Sequence, residues 1–224
     1  MNKKAERHIH LNMALIGGFF GGFAVINHMD LLASAQTSNL ISQALILVGR
    51  SSAEALARVG ALGIYILALA LTVMVPRILK WNNQLASIAI DVLALISLAF
   101  MPDTLDHFVA MYPIFFAMAY QWCSFPTSEG YVSATIFSTN NLRQCVTAFT
   151  AYACDRDPKM LAKACMYGKV LLMFHIGVAF SWFACQFFGT RGALLALLPC
   201  MTALVQMLVS LHAVPFLLRK ASHI

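Results

Sequence analysis

Two stretches of this chain set a density of polar side chains inside otherwise apolar sequence. Gln36, Thr37, Ser38, Asn39, Ser42 and Gln43 form the first, and Ser138, Thr139, Asn140, Asn141, Arg143 and Gln144 the second. Each carries the pattern T-x-N-L, as Thr37-Ser38-Asn39-Leu40 and as Thr139-Asn140-Asn141-Leu142. A polar group removed from water needs a hydrogen-bond partner. Side chains of this kind at membrane depth therefore line a cavity or satisfy one another. The first alternative makes Thr37, Asn39, Thr139 and Asn141 the lining of a central site for a small solute. Arg143 is unfavourable against lipid, so it reaches an interface or pairs with an acid or an anionic ligand. Asp91 lies in LASIAIDVLALISLAF with apolar neighbours on both sides. It is a candidate to pair with Arg143, to carry a proton or to bind a cation.

The first apolar stretch holds Gly17, Gly18, Gly21 and Gly22. Ala14, Gly18 and Gly22 are four apart and share one helix face. Such faces let backbones approach closely, within one chain or in a homodimer. Glu129 reads as a solvated loop residue, and His175 as a packing histidine or one that titrates. The six cysteines, Cys123, Cys145, Cys154, Cys165, Cys185 and Cys200, contain no C-x-x-C pair and mostly lie in apolar stretches, so they read as packing residues. No metal site, cofactor fingerprint or enzyme signature such as H-E-x-x-H, G-x-S-x-G or a P-loop is present in the sequence.

The elements that must position these residues follow from composition. Of 224 residues, 60% are hydrophobic and 11% charged, and the mean hydropathy is +0.76. A soluble domain has about a quarter of its residues charged, so this chain cannot cover a globule with a solvated surface. The class is an all-α polytopic membrane protein with the lipid bilayer as its surroundings. The net charge of +6 does not point to nucleic acid. The basic residues gather between apolar segments, as Lys3, Lys4 and Arg7, as Arg156, Lys159 and Lys163, and as Arg219 and Lys220. This is the positive-inside pattern, and it places both termini in the cytoplasm. The start has the basic flank of a signal peptide but no A-x-A site, so it reads as a retained first segment.

Eight apolar segments can be marked: Leu11–Ile26, Leu31–Val48, Ala61–Val75, Leu85–Met101, Phe108–Cys123, Val132–Ala153, Ala164–Phe188 and Gly192–Leu218. The first and fifth have about 16 residues, about 24 Å of helix, short for about 30 Å of hydrocarbon. Each is followed by a polar break and then by T-x-N-L. The chain thus reads as a single transmembrane domain, 1–224, made of two internal repeats, 10–101 and 108–218. Each repeat has three to four helices with a short or broken helix at its start. If each short segment crosses alone, there are eight crossings and parallel copies. If it joins its successor in one broken crossing, there are six and the copies are inverted. The length of the first two segments together, nearly 40 residues, leans to eight.

At these residues the chain resembles the YoaK-like bacterial inner-membrane proteins, a family with no assigned activity. That family's first signature is A-G-x-x-D-A with T-G-N about sixteen residues on. Here Gly17-Gly18-Phe19-Phe20-Gly21-Gly22 precedes Thr37-Ser38-Asn39. Its second is similar to Gln121, a loop, then Ala134-Thr135-Ile136-Phe137-Ser138-Thr139-Asn140-Asn141-Leu142-Arg143. The resemblance implies a multi-spanning protein of the bacterial inner membrane with a repeated core, and adds Gln121 to the candidate site. Gly21 stands where the family has aspartate, and Ser38 and Asn140 replace the T-G-N glycines. A role of that aspartate in proton coupling is lost here or moved to Asp30 or Asp91.

The reading is a small-solute transporter or permease whose central polar site lies between the two T-x-N-L segments. The alternative is a non-transporting scaffold, sensor or partner subunit. A lipid-acting enzyme using Asp91, His175 or a cysteine has no catalytic pair in the spacing. A reporter fused after Ser52 separates the topologies: cytoplasmic activity supports eight crossings and external activity supports six.

Overall fold

A computed structural model describes residues 3–28, 36–49, 55–102 and 104–221, with side chains as far as residue 211. The described chain is helical apart from one small hairpin. Helices α1 (Lys3–Asn27), α2 (Gln36–Leu47), α3 (Ala55–Ile78) and α4 (Asn83–Ala99) come first. A single turn, α5 (His107–Ala110), leads into α6 (Tyr112–Ser124). Strands β1 (Thr127–Ser128) and β2 (Tyr131–Val132) pair antiparallel. Then come α7 (Thr139–Asp155), α8 (Pro158–Phe188), a 3-10 stretch (Gly189–Ala196) and α9 (Leu197–Ala221). The reading of an all-α chain is thus correct.

Local chemistry sets several ends. The Asn82 side chain accepts from the Gln84 and Leu85 amides and starts α4. Asp157 accepts from the Lys159 amide, and Pro158 occupies the first turn of α8; both are preferred there because the first amides of a helix lack partners. Arg156 takes the left-handed conformation, φ 55°, and ends α7. The tight turn between them folds α7 back along the first half of α8.

The first helix is longer than its apolar run. It has 25 residues, about 37 Å, because the polar residues before and within the run find partners. Arg7 pairs with Glu129 at 3.0 Å. His10 Nε2 lies 3.2 Å from Ser133 Oγ. The Asn12 amide donates to Pro199 O and Thr202 Oγ1. Lys3–Asn27, Ala55–Ile78 and the continuous stretch Pro158–Leu211 are each long and apolar enough to cross a membrane.

The directions of the helices follow from their pairings. Gly18 lies against the Phe174 carbonyl and Gly22 against Ser181. Asn27, at the end of α1, bonds Cys185, near the end of α8. The two helices therefore run parallel. Tyr112, at the start of α6, donates to Ala57 O at the start of α3. Gln121, near the end of α6, donates to Met13 O in the first half of α1. So α6 and α3 run opposite to α1 and α8, and the two short leading segments of the sequence point in opposite directions.

α1 is the central post. Met13, Ile16, Phe19, Phe20 and Phe23 are at most 1% exposed and form the main core with Leu95, Leu98, Phe115, Met118, Ala196 and Cys200. The outer faces of α3, α7 and α8 are apolar and exposed, as at Leu56, Leu67, Phe149, Leu172, Phe183 and Phe187. An exterior of this kind suits lipid.

The Ala14–Gly18–Gly22 face of α1 lies on α8, with Ala14 packed against Met166, Tyr167 and Val170. That face is therefore used within the chain. Gly17 looks elsewhere, onto the Thr135 carbonyl, while a Cβ at Gly21 would meet the Phe174 ring at 3.6 Å, ordinary van der Waals contact. Gly18→Leu is expected to destabilise the protein in detergent by about 1–3 kcal/mol through overpacking. Gly63→Ala meets nothing within 4 Å and is expected to stabilise by up to about 1 kcal/mol. Thermal unfolding of both variants checks this, and an unchanged Gly18→Leu protein refutes the close α1–α8 approach.

Candidate functional site

The buried polar residues gather around the segment between α6 and α7. Glu129, in the hairpin, is held by Arg7 near the start of α1, so it is a paired residue rather than a free, solvated one. From there the chain turns inward. Ser133 and Thr135 are 1% and 0% exposed. Ser133 reaches His10, and the Thr135 carbonyl reaches Gly17. Ten residues of α1 separate Arg7 from Gly17, about 15 Å of axial depth. Phe137 then stacks edge-on against Trp122, with centroids 5.1 Å apart, and α7 starts at Thr139. Cys145 bonds Ala164 O, which sets α7 antiparallel to α8, and α7 runs back toward the end it came from. Residues 126–155 are thus re-entrant: an extended stretch goes in and a helix comes out.

An extended backbone in the interior of a helical bundle needs partners from side chains. Gln121 is fully buried, and its amide donates to Thr135 Oγ1 at 2.7 Å and Met13 O at 2.9 Å. Asn141, 1% exposed, donates to Ala134 O at 2.7 Å and Phe137 O at 3.1 Å and accepts from Ser133 Oγ at 3.2 Å. One asparagine therefore ties the incoming strand to the first turn of the outgoing helix. Four buried polar atoms around this segment, Gln121 Oε1, His10 Nδ1, Ser128 Oγ and Ser138 Oγ, have no hydrogen-bond partner among the described residues.

The first T-x-N-L sits elsewhere. Asn39 is buried at 6% exposure, donates to Gln36 Oε1 at 3.2 Å and accepts from Arg58 Nη1 at 3.4 Å. Gln43 donates to Arg58 O. Arg58 also lies over the Phe108 ring, 4.1 Å from its centroid. These contacts put Asn39 at the end of the bundle where α3 and α6 begin. Asn141 belongs to the other end, where α6 finishes. The two segments do not face each other across a common cavity, so the central site expected between them is not formed. The reason is the opposite direction of α1 and α6, which sends the chain into α2 and α7 from opposite ends. Thr37, the second residue of α2, and Thr139, the first of α7, are exposed.

Arg143 and Asp91 are also apart. Arg143 is on the exposed face of α7 and donates to Asn140 Oδ1. Asp91 is fully buried on α4, and neither of its oxygens has a hydrogen-bond partner among the described residues. They form no ion pair because α4 packs on α6, α9 and the 3-10 stretch, and α7 packs on α8. His175 is exposed on α8 and bonds only Leu171 O one turn back. Asp30 lies outside the described residues. Among the described residues no three His, Cys, Asp or Glu side chains gather to hold a metal.

Sequence reasoning missed His10, Ser133 and Thr135. His10 hides in the basic N-terminal flank, and Ser133 and Thr135 fall inside an apolar stretch read as helix. The signal for the last two was the short segment-break-segment pattern. Asn141→Ala strips partners from the half-buried carbonyls of Ala134 and Phe137 and is expected to destabilise by about 1–3 kcal/mol. Arg143→Ala, on the exposed face, is expected to change stability by less than about 0.5 kcal/mol. Chemical or thermal unfolding in detergent compares them, and equal losses would remove the structural role of Asn141.

A family model described as "Protein of unknown function (DUF1275)" matches residues 9–208. No curated protein and no solved structure matches the chain.

Proposed function

Taking as premise that the chain belongs to the DUF1275 family of unknown function, we propose that it is a multi-spanning permease for a small solute. The observation that carries this is the re-entrant segment. Non-helical backbone at membrane depth is tolerated where it is buried in protein or lines a path for solute, and a helix that begins inside the bundle turns its amide end toward that path. The free Gln121 Oε1 and His10 Nδ1 beside it are polar atoms that a passing solute or water can satisfy. The candidate solute-binding set becomes Gln121, Thr135, His10 and Asn141. Thr37 and Asn39 belong to the opposite end of the bundle, and Thr139 and Arg143, exposed on α7, leave the set.

The opposite directions of α1 and α6, and of α3 and α8, support inverted repeats and six crossings, with α2 and α7 re-entrant from opposite sides. Lys3, Lys4, Arg7, Arg77, Arg156, Lys159 and Lys163 all belong to the end of the bundle where α1 begins. By the positive-inside rule that end is cytoplasmic, in a bacterial inner membrane. A reporter after Ser52, at the other end, is then external.

A second reading, a non-transporting scaffold or partner subunit, is favoured by the mutual bonding of His10, Ser133 and Asn141. Proteoliposome swelling with urea, glycerol and propionate decides between them. The permease reading expects one of these to enter well above empty vesicles, and Gln121→Leu to slow it about tenfold, the equivalent of ~1.4 kcal/mol. Flux no higher than in empty vesicles for all three, or a Gln121→Leu protein as fast as wild type, overturns it.

A further inference from the structure

A cavity of about 210 Å³ opens at the end of the bundle where α1, α4 and α8 finish and α5 begins. Its apolar wall includes Phe23, Leu98 and Met101, and its polar groups are Asn27, His28, His107 and Thr190. The Asn27 amide nitrogen is already committed to Phe23 O and Cys185 Sγ. His28 is 8% exposed, and its Nδ1 has no partner among the described residues. The His107 ring stands edge-on to it, with centroids 5.8 Å apart and planes at 70°. Among the described residues no carboxylate lines the cavity.

These groups suit one kind of guest. Two imidazoles and a hydroxyl can hold a carboxylate, since each protonated ring nitrogen donates a charge-assisted hydrogen bond. An inorganic anion would leave Phe23, Leu98 and Met101 facing an unfilled apolar wall. A neutral alcohol would bring no negative charge to a protonated His28. The volume falls below the roughly 300–1,000 Å³ of drug-sized sites, so the guest has only a few heavy atoms. We infer that this cavity binds a short-chain monocarboxylate, its carboxylate between His28 and His107 and its alkyl end against Phe23, Leu98 and Met101. Binding stands on the cavity alone; that the acid is also the transported solute rests on the permease reading above.

The guest arrives with a proton. Burial, and then the neighbouring His107, hold the His28 imidazole below its ordinary range, so the empty cavity favours neutral His28. A bound carboxylate favours the cation. Affinity therefore rises as pH falls through the histidine range, with one proton taken up per acid bound. Among the described residues, the other charged groups at this end are held elsewhere or face solvent. Asp106 is turned onto the Phe108 and Val109 amides, Arg58 stacks on Phe108 and meets Asn39, and Arg191 is exposed. Asp30 and Asp103 lie outside the described residues.

Equilibrium binding of radiolabelled propionate to the purified full chain in detergent tests this. Saturable binding is expected, tighter at about pH 6 than at about pH 8 by at least about threefold. 1-Propanol and chloride should not compete. His28→Gln and His107→Gln should each weaken binding about tenfold. Leu105→Trp, placed at the exposed rim, should block the cavity without disturbing the core, and His175→Gln should bind as wild type. Absence of saturable binding at both pH values, chloride competing as well as propionate, or full binding by Leu105→Trp overturns the site. Binding without flux above empty vesicles leaves the site standing and removes the permease. Solute flux that Leu105→Trp leaves unchanged, with no propionate bound, does the reverse.

Discussion

The architecture rests on a helix with no free face. α1 is enclosed by α8 on its glycine face, by α6 and the re-entrant stretch on another, and by α9 on a third. Lipid tails are as apolar as leucine, so apolar side chains gain little by leaving them for a helix interface. Close backbone packing and hydrogen bonds must hold such helices together. Gly18 and Gly22 allow the first by bringing α8 against α1, and Gly177 reciprocates from α8 by lying against the Leu15 carbonyl. Every polar group that α1 carries inward must then find a partner inside the bundle.

That requirement explains the positions of His10, Asn12 and Gln121. Each bonds a residue brought in from a distant element: His10 at Ser133, Asn12 at Pro199 and Thr202, Gln121 at Thr135. The re-entrant stretch is affordable only because His10 and Gln121 bond it. Gly17 completes the arrangement, since any side chain there would meet the Thr135 carbonyl. Packing and polar satisfaction are thus one constraint. The same glycine pair faces two different neighbours, one for helix approach and one for the strand.

Much of the fold was legible in the residues. Apolar periodicity marked the long helices, and the polar breaks marked where they stop. What misled was length. Counting only apolar residues made the first segment too short, because a polar residue with a buried partner is as acceptable in a helix as an apolar one. Val132–Ala153 read as one helix for the complementary reason. Serine and threonine among apolar neighbours do not reveal whether the backbone there bonds to itself or to side chains from elsewhere. The likeness of the two T-x-N-L segments was visible, but likeness in sequence does not give direction in space.

From its residues alone this chain was an all-α protein suited to a bilayer, with its polarity concentrated at two matching points and its glycines on one helix. Composition and local spacing determine those properties, since they depend on what each residue gains from lipid, water or its neighbours along the helix. Only the tertiary structure decided that Asn39 and Asn141 lie at opposite ends, that Asp91 and Arg143 do not meet, and that His28 and His107 share a cavity. These are contacts between residues far apart in sequence. They follow from the direction in which each helix enters the bundle, which close packing on α1 settles and no local pattern encodes.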